Sequence, residues 1–165
     1  MRVRAAAVGA VLLCGLSACG GEPAPLPSAP VTTPSCTPPA GAVDALPEGY
    51  RVVAGVVAVP ADRILPVATS GQRDPAAELF AKWGLLVRAG ETAEVSVESG
   101  PALIGWGSSV VPASSVRITA CREGSQAWTA FAGGTWVTEP ACVPLVIRAG
   151  DVAEEARMPI GVPCP

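Results

Sequence analysis

The chain contains no histidine and no asparagine, and Lys82 is its single lysine. Without an imidazole there is no Ser-His-Asp or Cys-His pairing and no His-based zinc or copper site, which removes the commonest nucleophilic and metal chemistries. Without asparagine there is no N-glycosylation sequon. Charged residues are 15% of the chain against a typical quarter, so the surface should be bland. The charge that is present leans acidic, with a formal net of −3, whereas nucleic acid and anionic headgroups are recognised by basic patches. No nucleic-acid partner is expected. No two cysteines are spaced as C-x-x-C, which argues against a redox or metal dithiol. Carboxylates can still run acid and base chemistry, so these absences narrow the enzymatic options without closing them.

What is present begins at the N-terminus. Arg2 and Arg4 precede an apolar stretch from Ala5 to Leu16 that ends in small residues, the three-part layout of an export signal. The stretch is shorter than the roughly 20 apolar residues that span a bilayer as a helix. It closes in Leu16-Ser17-Ala18-Cys19, which resembles a bacterial lipobox. That resemblance implies a diacylglyceryl group on the Cys19 sulfur, cleavage between Ala18 and Cys19, and a mature protein anchored by lipid at the outer face of the cytoplasmic membrane. Each buried methylene of such an anchor contributes about 0.8 kcal/mol, and two long chains hold where one is marginal. Cys14 lies inside the signal, residues 1–18, and should be lost with it.

From Gly20 to Ala40 the chain is rich in Pro and Ala and nearly free of large apolar side chains. Such a composition does not bury enough surface to offset its ordering entropy, so residues 19–42 are expected to be a partly polyproline II tether. Extended at about 3.1 Å per residue it would reach on the order of 60 Å. Residues 43–165 then make one domain of ordinary size. Beyond Cys19, four cysteines remain: Cys36, Cys121, Cys142 and Cys164. An even number in an oxidising compartment predicts two disulfides with three possible connectivities. A hairpin expected between Cys121 and Cys142 favours the Cys121–Cys142 bond, leaving Cys36–Cys164 to tie the tether to the C-terminus.

The domain reads as strands throughout. The β-branched run Arg51 to Val59 suggests one strand covered on both sides, and Ile64 to Val67 a short edge segment broken by Pro66. Asp74 to Lys82, with Asp as N-cap and Pro at the next position, predicts one turn of helix. Trp83, Leu85 and Val87, followed by Ala93, Val95 and Val97 across the turn Arg88-Ala89-Gly90-Glu91, alternate as the dry face of a hairpin. Ala102 to Trp106 reads as strand or loop, and Val116, Ile118 and Ala120 alternate again. Gly133-Gly134 supplies the positive φ angles of a two-residue turn between Ala127–Ala132 and Thr135–Thr138, with Phe131 opposite Trp136. Val143–Ala149 and Val152–Met158 flank the turn Gly150-Asp151. Eight or nine short strands with almost no helix predict an all-β fold, with an immunoglobulin-like two-sheet sandwich as the leading expectation and a small closed barrel as the alternative.

Cys121-Arg122, the segment Trp128 to Gly134, Pro140 to Leu145 and the ending Gly161-Val162-Pro163-Cys164 resemble the lipobox-type lipoproteins of high-GC Gram-positive (actinobacterial) bacteria. The abundance of Ala, Val, Gly, Pro and Arg agrees with that likeness, which runs from Lys82 onward and carries no catalytic residue. The candidate contacts are therefore read from the residues. Trp106 sits between two glycines and Trp136 follows the Gly pair, so either ring is placed to stack on a sugar face or a partner side chain, although four tryptophans equally suit a core. With Ser108, Ser109, Gly133 and Gly134 they define two loop tips, and binding tends to live on loops held by a rigid scaffold. Glu91, Glu94 and Glu98, with Asp151, Glu154 and Glu155, are the acidic groupings, without the dense oxygen ligands calcium requires. No metal and no cofactor is expected. The leading expectation is a non-catalytic envelope module, held to the membrane through Cys19, that binds a protein, a glycan or a small apolar ligand. The alternatives are a carboxylate-based hydrolase of cell-wall polymer, needing two carboxyl groups roughly 5 to 9.5 Å apart, and a carrier of apolar ligands, needing a cavity between the sheets.

Overall fold

Among the described residues twelve strands form, and they pair into two sheets. The structure is a computed structural model that describes residues 31–32, 41–61, 63–72, 77–107, 111–122 and 124–165, with residues 31–32 described by their backbone alone. The strands are β1 (Val31–Thr32), β2 (Gly41–Val43), β3 (Tyr50–Val53), β4 (Val57–Pro60), β5 (Ala68–Thr69), β6 (Leu79–Arg88), β7 (Thr92–Val97), β8 (Leu103–Trp106), β9 (Ser115–Thr119), β10 (Trp128–Val137), β11 (Ala141–Ala149) and β12 (Val152–Ile160). One sheet has the order β1-β9-β7-β11-β12, and the other β2-β10-β6-β4-β3, with β5 beside β6 and β8 beside β10. All pairings between strands are antiparallel except β1 with β9.

The inner faces of the two sheets meet in one core. Val57, Val59, Ala81, Trp83, Leu85 and Val87 from one sheet pack with Ala93, Val95, Val116, Ile118, Leu145, Ile147, Ala156, Met158 and Ile160 from the other. Period-two alternation sets this division: along β12, Ala156, Met158 and Ile160 point inward while Glu155 and Arg157 stay exposed. Each fully buried Leu or Ile contributes about 1.5–3 kcal/mol, so this stripe dominates the stability. The fold is a β-sandwich, as the composition of strands predicted.

Its connectivity is not that of an immunoglobulin domain. Six consecutive strands, β6 to β11, alternate between the sheets at every connection, whereas the immunoglobulin arrangement keeps A–B, D–E and F–G within one sheet. The consequence is felt at the turn Arg88-Ala89-Gly90-Glu91. It does not close a hairpin; it carries the chain across the sandwich from β6 to β7, with Gly90 at φ 85° donating its amide to Ala120. The two strands alternate because both face the same core from opposite sides.

The run Arg51 to Val59 is likewise two strands, β3 and β4, turned by Ala54 at φ 49° and Gly55 at φ 72°. Successive positive φ angles are those of a type I′ turn, and Ala54 pays a steric cost of about 1–2 kcal/mol to adopt one. Its amide donates to Glu154 Oε2 at 2.7 Å, which fixes the turn from the neighbouring sheet. The expectation that this segment is covered on both sides holds for β4. Val57 and Val59 enter the main core, while Ala58 joins Leu86 and Trp128 in a smaller outer cluster roofed by Val43, Leu46 and Tyr50. Of the helical turn expected from Asp74 ahead of a strand, residues 74–76 lie outside the described residues, Ala77 has 3₁₀ conformation, and the strand that follows, β6, begins at Leu79.

Strand pairing starts earlier than residue 43. Val31 and Thr32 pair with Val116 and Arg117, and Gly41 to Val43 with Trp128 to Ala130, so parts of the expected tether belong to the sheets. The disulfides also differ from both expected bonds. Cys142 is joined to Cys164, with Cα atoms 5.0 Å apart and a sequence separation of 22. Cys142 lies in β11 where that strand pairs with the end of β12, so the C-terminal tail passes directly beside it. Cys121 follows β9, and β7 separates β9 from β11. Two strand spacings, about 9.6 Å, exceed the reach of a disulfide. Cys121 is nevertheless disulfide-bonded, and its partner lies outside the described residues. Peptide mapping without reduction should therefore yield a linked pair holding Cys142 with Cys164. A peptide joining Cys121 to Cys142 would contradict the strand order.

Candidate functional site

None of the four tryptophans is presented to solvent. Trp106 is 1% exposed and meets Trp83 edge to face, with ring centroids 4.8 Å apart at 73°. Trp83 Nε1 donates to Thr135 Oγ1 at 3.0 Å, so the buried hydroxyl and the buried indole satisfy one another. Trp136 is 6% exposed and stacks on Phe80 at 4.5 Å, and Trp128 is roofed by the Arg88 guanidinium 4.7 Å from its ring. Three of these residues and Phe80 lie on the long strands β6 and β10, where burial from both faces consumes the rings.

Gly133 and Gly134 are not a turn. They occupy the middle of β10, with β6 on one side and β8 on the other: Gly133 pairs with Trp83 and Trp106, and Gly134 with Lys82 and Gly105. Phe131 consequently lies opposite Leu85, and Trp136 opposite Phe80 and Leu103, so the expected Phe131–Trp136 pair does not form. A Cβ added at Gly133 would overlap the Gly105 carbonyl, and one at Gly134 the Ala81 carbonyl. Glycine here permits close approach of three backbones instead of reversing the chain. Ser108 and Ser109 lie outside the described residues; of that loop Val111 is exposed, Pro112 is half-buried and Ala113 is bridged to Ile104.

The acidic groups are dispersed over exposed strand positions. Glu94 on β7 pairs with Arg117 of β9 at 3.1 Å, and Glu154 on β12 is committed to the Ala54 amide and, at 3.9 Å, to Arg51. Among the described residues no group of three or more Cys, Asp or Glu is placed to hold a metal. Between the sheets, the side chains of the core pack in one cluster, most of them below 4% exposed.

Three of the arginines, by contrast, are gathered. Arg51, Arg63 and Arg157 line a half-open cleft of about 300 Å³ where β3, the edge of one sheet, meets β12, the edge of the other. Pro60, Ala61, Ile64, Pro159, Pro163 and Cys164 complete its wall. Three pieces of local structure assemble it. Arg157 faces outward because Ala156 and Met158 face inward on β12. Arg63 is carried alongside by the parallel bridge of Leu65 to Ile160, held by the Leu65 amide on the Pro159 carbonyl and the Gly161 amide on the Leu65 carbonyl, both at 2.8 Å. Arg51 comes across from β3. The Cys142–Cys164 bond then fixes the tail that forms the last side.

Among the described residues the charge in this cleft is only partly balanced. Arg51 has the half-exposed Glu154 at 3.9 Å, a pair worth about 0–1 kcal/mol. Arg63 and Arg157 have no ion-pair partner among the described residues. Asp62, next to Arg63 in sequence, lies outside them. A second cleft of about 220 Å³, between residues 99–102 and 137–144, has Glu139 as its single ionisable side chain among the described residues. Among the described residues neither cleft is lined by two carboxylates. No protein-family model matches the chain, and no curated protein matches it.

Sequence reasoning did not single out the three arginines, because residues 51, 63 and 157 share no local motif. The signal available was weak: in an acidic chain with one lysine, an Arg at an outward position beside buried Ala156 and Met158. The glycine pair offers a clean discrimination between the two readings of β10. Gly134→Ala should destabilise the protein by about 3 kcal/mol or more in urea unfolding, as overpacking against backbone does. A cost below about 1 kcal/mol would return the pair to a loop.

Proposed function

We propose that the chain is a lipid-anchored, non-catalytic binding module of the cell envelope, held through Cys19 at the outer face of the cytoplasmic membrane and presenting the β3–β12 cleft to an envelope ligand. The observation that carries this reading is the placement of the two ends of the sandwich. The segment leading from Cys19 joins the sheets through β1 and β2, which begin the two strand orders, while β3 and β12 end them. Four strand spacings, about 19 Å, separate the two edges. A module tethered at one edge therefore offers the cleft from the opposite one. Disulfide closure across 22 residues adds about 3 kcal/mol in the chain-entropy model and holds the cleft wall without help from a ligand.

A hydrolase would use paired carboxylates, and a carrier of apolar ligands would use an interior cavity; neither reading has an arrangement of described side chains in its favour. Cys19→Ala should move most of the protein from the membrane fraction into the soluble fraction, by about tenfold or more. Equal retention in the membrane would remove the anchor from the proposal. A photocrosslinker placed at Ile64, half exposed in the cleft wall, should give adducts in intact cells that the same probe at Val111 does not. Identical adduct patterns from the two sites would remove the cleft.

A further inference from the structure

We infer that the Arg51–Arg63–Arg157 cleft is a binding site for a phosphomonoester carried on a small, partly apolar molecule. The inference deepens the binding-module reading and rests on it for the role of the cleft, but its chemistry is argued from the cleft alone. Three guanidiniums contribute three positive charges, and Glu154 stands 3.9 Å from one of them, Arg51. Among the described residues, Arg63 and Arg157 carry two positive charges with no ion-pair partner. A phosphomonoester brings about −1.5 to −2 charges at neutral pH together with three acceptor oxygens, and so matches both the charge and the number of planar donor groups. A carboxylate brings one charge and two oxygens, enough for a single bidentate guanidinium. The choice of side chain points the same way, since arginine forks match phosphate geometry where lysine supplies only a point charge.

Size and lining set the rest of the molecule. A cleft of about 300 Å³ is of a size to hold a small ligand. Ile64, Pro60, Pro159 and Pro163 offer apolar contact beside the charges, and Ile64 is 51% exposed, with half its surface still to be covered. The same phosphate chemistry is found on soluble metabolites and on lipid headgroups. Because the cleft lies at the sheet edges opposite β1 and β2, a soluble or wall-side source suits it better than the membrane to which the chain would be tied.

The test is calorimetric titration of the full chain, purified from membranes in detergent, with phenyl phosphate at low salt. Binding is expected with a dissociation constant below about 1 mM, and inorganic phosphate should bind about fivefold more weakly for want of apolar contact. Arg63→Gln and Arg157→Gln should each weaken phenyl phosphate by about tenfold, Arg51→Gln by about threefold because Glu154 already engages it, and 0.5 M salt should weaken all of them. Benzoate should bind at least about tenfold more weakly than phenyl phosphate. Unchanged unfolding midpoints in the three variants would show that these exposed side chains act on binding and not on the fold. Absence of phenyl phosphate binding, equal affinity in the Arg63→Gln/Arg157→Gln double variant, or preference for benzoate would overturn the proposal. Binding to vesicles containing phosphatidic acid but not to soluble phenyl phosphate would overturn the soluble source. Fractionation of Cys19→Ala reads the membrane address separately, so failure of the titration and failure of the anchor are distinguishable.

Discussion

The ten-residue antiparallel ladder between β6 and β10 is the constraint from which the rest of the molecule is built. It lies at the centre of its sheet and carries Trp83, Leu85, Phe131 and Trp136, together with the buried Trp83–Thr135 hydrogen bond. Because both strands run their full length without a bulge, β2 and β8 can share the outer edge of β10, and β4 and β5 the outer edge of β6. The close passage of β8 and β6 on either side of β10 depends on two residues without side chains, Gly133 towards β8 and Gly134 towards β6. A side chain at either position would push the flanking backbones apart and open the core beneath them.

From that ladder, alternation of β6 to β11 between the sheets leaves different edges at the two sides of the sandwich. On one side are β1 and β2, contributed by the segment that precedes the domain core. On the other, β3 and β12 are long enough to matter as exposed edges, and each is managed. The Leu65 segment pairs with the end of β12, Glu154 ties β12 to the turn of the β3–β4 hairpin, and Cys164 bonds back to β11. These devices, each a way of covering an unpaired edge, are also what bring three arginines into one cleft. Structural closure and the candidate site are therefore the same set of contacts, which is why the site has no motif of its own.

Strand character was legible because it is local. Alternation in Ala93, Val95 and Val97 or in Val116, Ile118 and Ala120 needs only neighbours two residues apart, and the turn at Gly150-Asp151 needs only two residues between two runs. Partners were not legible. Gly-Gly in β10 carries the same composition as a type I′ turn, and only the ladder to β6 on one side and β8 on the other decides that it stays extended. Val53-Ala54-Gly55-Val56 shows the reverse: a real type I′ turn hidden in an apolar run, its Ala54 held at positive φ by a carboxylate one hundred residues away. The tryptophans fail for a similar reason. Flanking glycines suggest access, but exposure depends on what packs over a ring, and Phe80, Trp83 and Arg88 do so from another strand.

The sequence by itself determined the all-β character, the apolar faces that make a two-layer core, the lack of imidazole chemistry and the lipobox-like start, because each is a property of composition or of residues within a few positions of one another. Only the tertiary structure decided which strands are neighbours, that Cys142 bonds Cys164, that the tryptophans serve the core, and that Arg51, Arg63 and Arg157 share a wall. The physical reason is that hydrogen bonding between strands and burial between sheets are blind to distance along the chain. Pairings of long sequence separation are selected by the mutual fit of whole faces, and no short window of residues contains that fit.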